Sequence, residues 1–131
     1  MATIPERGRE ILHKPSIGNI ATLMPDGSPQ VTPVWVDVEG DEILVNTLDG
    51  RLKARNVRRD PRVAISVPDP DTPTVALIVR GVADLVEEGG REHADKLARK
   101  YLGEDVFPYL EPGDVRVLIR IRPERVFIYG A

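Results

Sequence analysis

The chain has 131 residues, with 18 Lys plus Arg against 21 Asp plus Glu, a formal charge of −3 and 41% hydrophobic residues, the profile of one globular domain spanning 1–131 with a buried core. It contains no cysteine, which excludes disulfides, thiolate-held zinc, iron-sulfur clusters and thiol nucleophiles, and its two histidines, His13 and His93, lack the spacing of a metal site. No apolar run approaches the roughly 20 residues needed to span a bilayer, and the opening MATIPERGRE lacks the basic-then-apolar pattern of a secretory signal, so a cytoplasmic location is expected.

The first predicted element is a short helix over 4–13, where Pro5 suits a first turn and Ile11 and Leu12 can dock on the body. Strands follow. The apolar run 17–23 and the alternating run 30–38 flank Pro25-Asp26-Gly27-Ser28, a turn sequence, and predict a hairpin. A second turn at Glu39-Gly40-Asp41 leads into a third strand over 42–47. The period then changes. Leu52, Ala54 and Val57 recur at helical spacing among bases, Asp49 is placed to cap the free amides, and Pro61 stops the helix.

Residues 63–67 predict a strand and PDPDTP a loop, since the latter is dense in breakers. A long strand over 75–85 contains Gly81, which predicts a bulge or a close backbone approach. Ala94, Leu97, Ala98, Tyr101 and Leu102 define the apolar face of a helix over 91–102 ended by Gly103, with His93 and His13 expected at the surface. Two last strands are expected at 114–121 and 126–129. Six or seven mostly antiparallel strands with two or three helices point to a mainly β (α+β) fold, a small barrel with appended helices, because closure disposes of sheet edges.

Charge is unevenly spread. The basic segment holds Arg51, Lys53, Arg55, Arg58, Arg59 and Arg62 against Asp60 alone, on a body that is otherwise acidic. A solvated helix face would explain such a run. Lys53, however, falls in the first helical turn, where unpaired amides and the helix dipole favour a phosphate. An acidic chain with 5% aromatic residues is poorly suited to nucleic acid, so a small anionic ligand fits better.

In order along the chain stand A-T-L-x-P-D-G-S-P-Q-V (21–31), P-V-W (33–35), K-A-R-N-V-R-R-D-P-R-V (53–63), V-R-G-V-A (79–83) and R-P-E-R-V (122–126). This order resembles the split β-barrel, FMN-binding-like superfamily of pyridoxine 5′-phosphate oxidase-like proteins, and within it the actinobacterial-type reductases that use the deazaflavin coenzyme F420. The resemblance covers nearly the whole chain, and the K-x-R-N-x-x-R-D-P run is its most specific part. It implies a homodimer with cofactor sites in interface grooves. By the same resemblance Lys53 meets the cofactor phosphate, with Arg51 and Asn56 near the same end, Thr47 contacts the cofactor, and Thr32, Pro33, Val34 and Trp35 run beside the ring. Two departures argue against pyridoxine phosphate oxidase activity. Leu52 stands where the FMN-using oxidases have Arg, and their C-terminal Trp- and Arg-bearing segment has no counterpart before Ala131.

The activity implied is hydride transfer between reduced coenzyme F420 and an unsaturated or conjugated small organic acceptor, with the cofactor carrying the chemistry and the protein supplying placement. Several bases would serve the phosphate and a polyglutamate tail. Trp35 suits either a core position or a place near the ring; Phe107 and Tyr109 suit either packing or the substrate mouth. Other readings are an FMN-binding oxidoreductase of the same fold, a non-catalytic carrier of F420, flavin or a tetrapyrrole, and a structural dimer whose basic helix only solubilises it. A dimer also follows from strands carrying more Val and Ile than one interior holds.

Overall fold

A computed structural model of the chain describes residues 2–130; Met1 and Ala131, the ends of the expected domain, lie outside the described residues. Pro5 leads into α1 (Glu6–His13), and its carbonyl accepts the Arg9 amide at 3.0 Å. One face of this helix buries Ile11 and Leu12, while His13 is exposed as expected. The first hairpin joins β1 (Ile17–Leu23) to β2 (Pro29–Trp35) through a turn in which Gly27 takes φ 86° and Asp26 accepts the Ser28 amide. Next come β3 (Asp37–Glu39), β4 (Glu42–Leu48), α2 (Leu52–Arg59), β5 (Arg62–Asp69), β6 (Thr72–Val86), α3 (Gly90–Leu102) and β7 (Arg116–Tyr129).

These seven strands form one antiparallel sheet in the order β2-β1-β5-β6-β7-β4-β3. The two outermost strands, β2 and β3, are separated in sequence by Val36 alone. A sheet whose opposite edges are joined by one residue must curl until those edges meet. No ladder of the described residues closes the seam, so the result is a curled half-barrel with three helices, as the sequence predicted in class. Alternation along β5 and β7 turns Ile65, Val67, Ile119 and Ile121 into the interior, where they meet Ile20, Ile43 and Leu77.

Four local expectations are corrected. The run 30–38 is not one strand, because at Val36 the backbone N–H is taken by the Tyr101 hydroxyl (2.9 Å) and the C=O by Lys100 Nζ (2.7 Å), both from α3. PDPDTP is not a loop: β5 continues through Pro68 and Asp69, and β6 restarts at Thr72. Proline is tolerated at 68 because β1 pairs with β5 only over Ala64–Ser66, so no partner on that side awaits an amide. The last two strands are a single strand, β7, whose register against β6 shifts between Arg80 and Gly81; Glu124 is the extra residue, and Pro123 lies beyond the reach of β4. Leu102 is 37% exposed, since as the final residue of α3 it turns off the stripe that carries His93, Ala94, Leu97 and Ala98 inward.

Gly81 makes the close approach that the sequence predicted, and the bulge lies opposite it, at Glu124 of β7. A Cβ on Gly81 would stand 2.2 Å from the Arg122 carbonyl oxygen.

Candidate functional site

The end of β4 and the start of α2 create one wall of a cleft of about 450 Å³. Its first turn has no side-chain cap: Asp49, expected to cap, is drawn away to Arg58 Nη1 at 2.7 Å. The first-turn amides beside Lys53 are therefore left without a side-chain cap, an arrangement that favours an anion. Arg51 at the helix start and Arg116 at the start of β7 line the same end.

Two of these cations are perturbed by burial and by their neighbours. Burial pushes the Lys53 amine below its ordinary value, and the charges of Arg51 and Arg116 push it further. Arg116 is lowered by burial and then by Arg51, with Asp114 in partial opposition. Neither these two nor Arg51 forms an ion pair with a carboxylate among the described residues, whereas Arg58, Arg59 and Arg62 are engaged. Arg58 pairs with Asp49 and Glu87, Arg59 binds Leu23 O and Asn56 Oδ1, and Arg62 pairs with Asp60. A cluster of like charges lacking an ion-paired carboxylate, with Lys53 and Arg116 half-buried and Arg51 exposed, fits an anionic group such as a phosphate.

The other end of the cleft is aromatic. Trp35 stacks on Tyr101, Phe107 meets Trp35 edge-on at 6.2 Å, and Tyr109 meets Phe107 edge-on at 5.6 Å. The Arg116 guanidinium lies 4.7 Å from the Phe107 centroid and so connects the two ends. Tyr101 stands behind Trp35 rather than in the lining; burial pushes its hydroxyl up to about 12. Such a cleft can hold a flat ring at one end and its phosphate at the other.

Of the residues singled out from the sequence, Pro33, Val34, Trp35, Thr47, Arg51 and Lys53 line this cleft. Thr32 and Asn56 do not. Asn56 is fully buried on the opposite side of α2, donating to Thr22 Oγ1 at 3.0 Å and accepting from Arg59, so its amide ties the helix to β1. Thr32 sits across from Ile20, with a buried hydroxyl that has no partner among the described residues.

Sequence reasoning missed Asn46, Arg116, Ala94 and Leu97, which also line the cleft. Arg116 opens an alternating strand, and alternation alone does not say that its neighbour is β4. His93 was expected at the surface and is instead buried at 8% exposure, because its ring lies between Asn46 and Asp37. Burial by itself would raise the Asp37 carboxyl, but hydrogen bonds from His93 and Lys96 outweigh it and hold the group well below the usual carboxylate range. Among the described residues no three potential ligands cluster as a metal site, and no helix is long and apolar enough to cross a membrane.

Comparison with known proteins now bears on this geometry. The family model described as pyridoxamine 5′-phosphate oxidase matches residues 4–130. A solved structure named F420 reductase is similar at 36% identity over 95% of this chain and 98% of that chain, with a TM-score of 0.81. A conserved hypothetical protein of Mycobacterium tuberculosis is 30% identical, over 98% of this chain and 88% of its own, at a TM-score of 0.72. General Stress Protein 26 of Bacillus anthracis is 20% identical over 95% and 92% of the two chains, with a TM-score of 0.72, and shows the fold alone.

Proposed function

Because the chain belongs to the pyridoxamine 5′-phosphate oxidase family, of flavin- and deazaflavin-type oxidoreductases, we propose that it binds coenzyme F420 in the cleft described above and reduces an unsaturated or conjugated small organic acceptor. The observation that carries this reading is the trio Arg51, Lys53 and Arg116, unpaired at the uncapped start of α2 and adjoining an aromatic wall. The 36% identity to a protein named F420 reductase favours the deazaflavin over FMN, as does Leu52 in place of arginine.

When bound, the reduced cofactor would supply the hydride. The protein's share is placement. Lys53, Arg51 and Arg116 would hold the phosphate and the acidic tail, while Pro33, Val34 and Trp35 orient the ring and Thr47 flanks it. Among the described residues the lining includes no carboxylic acid and no histidine, and its mouth is open to solvent, where Tyr109 is 64% exposed.

A second copy of the chain completes this reading. On the outer face of β5, β6 and β7, Phe127 and Tyr129 are 50% and 65% exposed beside a shallow groove that includes Pro68, Ala76 and Ile78. A contiguous apolar patch of that kind is suited to a homodimer interface. We place the protein in the cytoplasm.

Equilibrium titration with coenzyme F420 and FMN tests the cofactor, and turnover of the reduced coenzyme with a conjugated enone tests the reaction. Tighter binding of coenzyme F420 together with turnover is expected. FMN preferred tenfold or more, about 1.4 kcal/mol, would move the protein to the FMN branch; tight binding without turnover of any acceptor would make it a carrier. Light scattering is expected to give a dimer.

A further inference from the structure

Arg116 is held in the cleft by a chain of groups that starts on the far side of α3. Along the β4/β7 ladder Arg116 pairs with Leu48, which places its side chain diagonally across from Asn46, and its Nε donates to Asn46 Oδ1 at 2.7 Å. Asn46 Nδ2 donates to the Gly90 carbonyl at 2.8 Å and lies 3.2 Å from His93 Nδ1. On its other side His93 Nε2 stands 3.0 Å from Asp37 Oδ2, which also accepts from Lys96 Nζ at 2.9 Å.

The polarity of every link follows from the two ends of the Asn46 amide. A guanidinium only donates and a backbone carbonyl only accepts, so Oδ1 must face Arg116 and Nδ2 must face Gly90. With Nδ2 a donor, His93 Nδ1 must accept. That leaves the ring hydrogen on Nε2, where the Asp37 carboxylate takes it. His93 is thereby fixed as one neutral tautomer, and its ring, wedged between Asp37 and Asn46, stops the amide from turning over.

We infer that Asn46, His93 and Asp37 are positioning residues, a relay that aims the Arg116 guanidinium at the anionic group of the bound cofactor without neutralising it. This rests on the cofactor reading of the cleft given above. Repulsion from Arg51 and Lys53 and the pull of solvent would otherwise draw Arg116 outward. A carboxylate at position 46 would hold the guanidinium more firmly but cancel its charge; a neutral amide oxygen holds it and leaves the charge for a ligand. The main chain of the same residue is also clamped. Gly90 lies so close to β7 that a Cβ there would stand 1.9 Å from the Arg116 carbonyl oxygen, so the start of α3 sets the position of Arg116 through backbone contact as well.

The test compares each phosphate-bearing ligand, coenzyme F420 and FMN, with its phosphate-free ribityl form (riboflavin in the case of FMN), by fluorescence titration of the intact protein. The ratio of the two dissociation constants isolates what the phosphate contributes in the FMN pair, and what the phosphate with its acidic tail contributes in the coenzyme F420 pair. In Asn46→Ala and His93→Leu this ratio should fall about fivefold to tenfold while the phosphate-free form binds as before. His93→Asn should restore it, because the asparagine oxygen stands where Nδ1 accepts, a rescue that a merely structural role would not predict. Unchanged ratios in both Asn46→Ala and His93→Leu would overturn the relay, and so would equal weakening of both forms, which signals a general loss of the cleft. A wild-type protein that binds phosphate-bearing and phosphate-free forms alike would instead overturn the cofactor reading itself. Thermal melts accompany each variant, and should His93→Leu fail to fold, Asn46→Ala decides alone.

Discussion

Tyr101 lies flat against Trp35, their ring centroids 4.8 Å apart and their planes within 3°. Its hydroxyl donates to the Ser16 carbonyl and accepts the Val36 amide, so one side chain of α3 fixes both the aromatic wall and the backbone beside it.

Tyr101→Phe should therefore leave the stack and remove the hydrogen bonds. Stranding a largely buried Val36 amide costs about 1 to 3 kcal/mol. Trp35 is the sole tryptophan, so its emission reads the cleft directly. Urea unfolding should show the loss of stability, while the native emission maximum stays near that of wild type. Tyr101→Leu should lose more, by about 0.5 to 1.5 kcal/mol for the stack, and shift the emission to the red.

Lys53→Ala is expected to weaken cofactor binding tenfold to a hundredfold, the equivalent of about 1.5 to 3 kcal/mol for a charge-assisted contact. Its apo form should melt no lower than wild type, because the lysine is half-buried beside two like charges and its removal relieves them. Arg59→Ala should do the reverse, keeping binding within a few-fold while lowering the melting temperature, since Arg59 holds Leu23 O and Asn56. Raising salt should weaken the wild type more than Lys53→Ala. Titrations at two ionic strengths, with melts of the apo proteins, check all of these.

Gly81→Ala should be among the most damaging single changes, because the added methyl meets rigid backbone at Arg122 and not a yielding side chain. A loss of about 3 kcal/mol or more is expected, measured as a drop in the denaturation midpoint. An unperturbed midpoint would mean that the bulge can re-form one residue along.

Stability should depend on pH through Lys100. Burial lowers its amine to about 8, with partial opposition from the Asp37 carboxylate, and Nζ donates to Leu12 O and Val36 O. A folded value below that of the unfolded chain means that the unfolded state binds more protons between the two, so the contribution of Lys100 rises as pH climbs above 8 and is lost as pH falls through it. The stability difference between wild type and Lys100→Met should grow by up to about 2 kcal/mol from pH 8 to 10. Tyr101, pushed up to about 12 by burial, works in the opposite direction above pH 10, but it is common to both proteins and cancels.

The elements were readable wherever the signal is local. Pro61, Gly103 and the Pro25–Ser28 turn all act on their immediate neighbours, and each is found where the residues put it. The failures share a different cause. Pro68 and Pro123 look like strand breakers until β1 and β4 are seen to stop short of them. His93 and Arg116 meet their partners Asp37 and Asn46 across large separations in sequence, and a polar residue gives no sign of a partner brought to it by strand pairing. Lys53 and Trp35 were identifiable from their motif; the arginine and asparagine that complete the same cleft follow only from the β4/β7 register.

The place of β7 has a consequence for biosynthesis. It is the last strand in chain order, yet it lies between β6 and β4, so among the described residues it is the sole strand whose ladders connect the block β2-β1-β5-β6 to the block β4-β3. During translation the early strands can pair only within their own blocks, and the ribosome must release the C-terminal strand before the two can be joined. Trp35 belongs to one block and Asn46 to the other, while Arg116 arrives with β7 itself. A nascent chain arrested before β7 emerges therefore lacks Arg116 and the ladder that brings Trp35 and Asn46 to one cleft, and cofactor capture must wait for that strand.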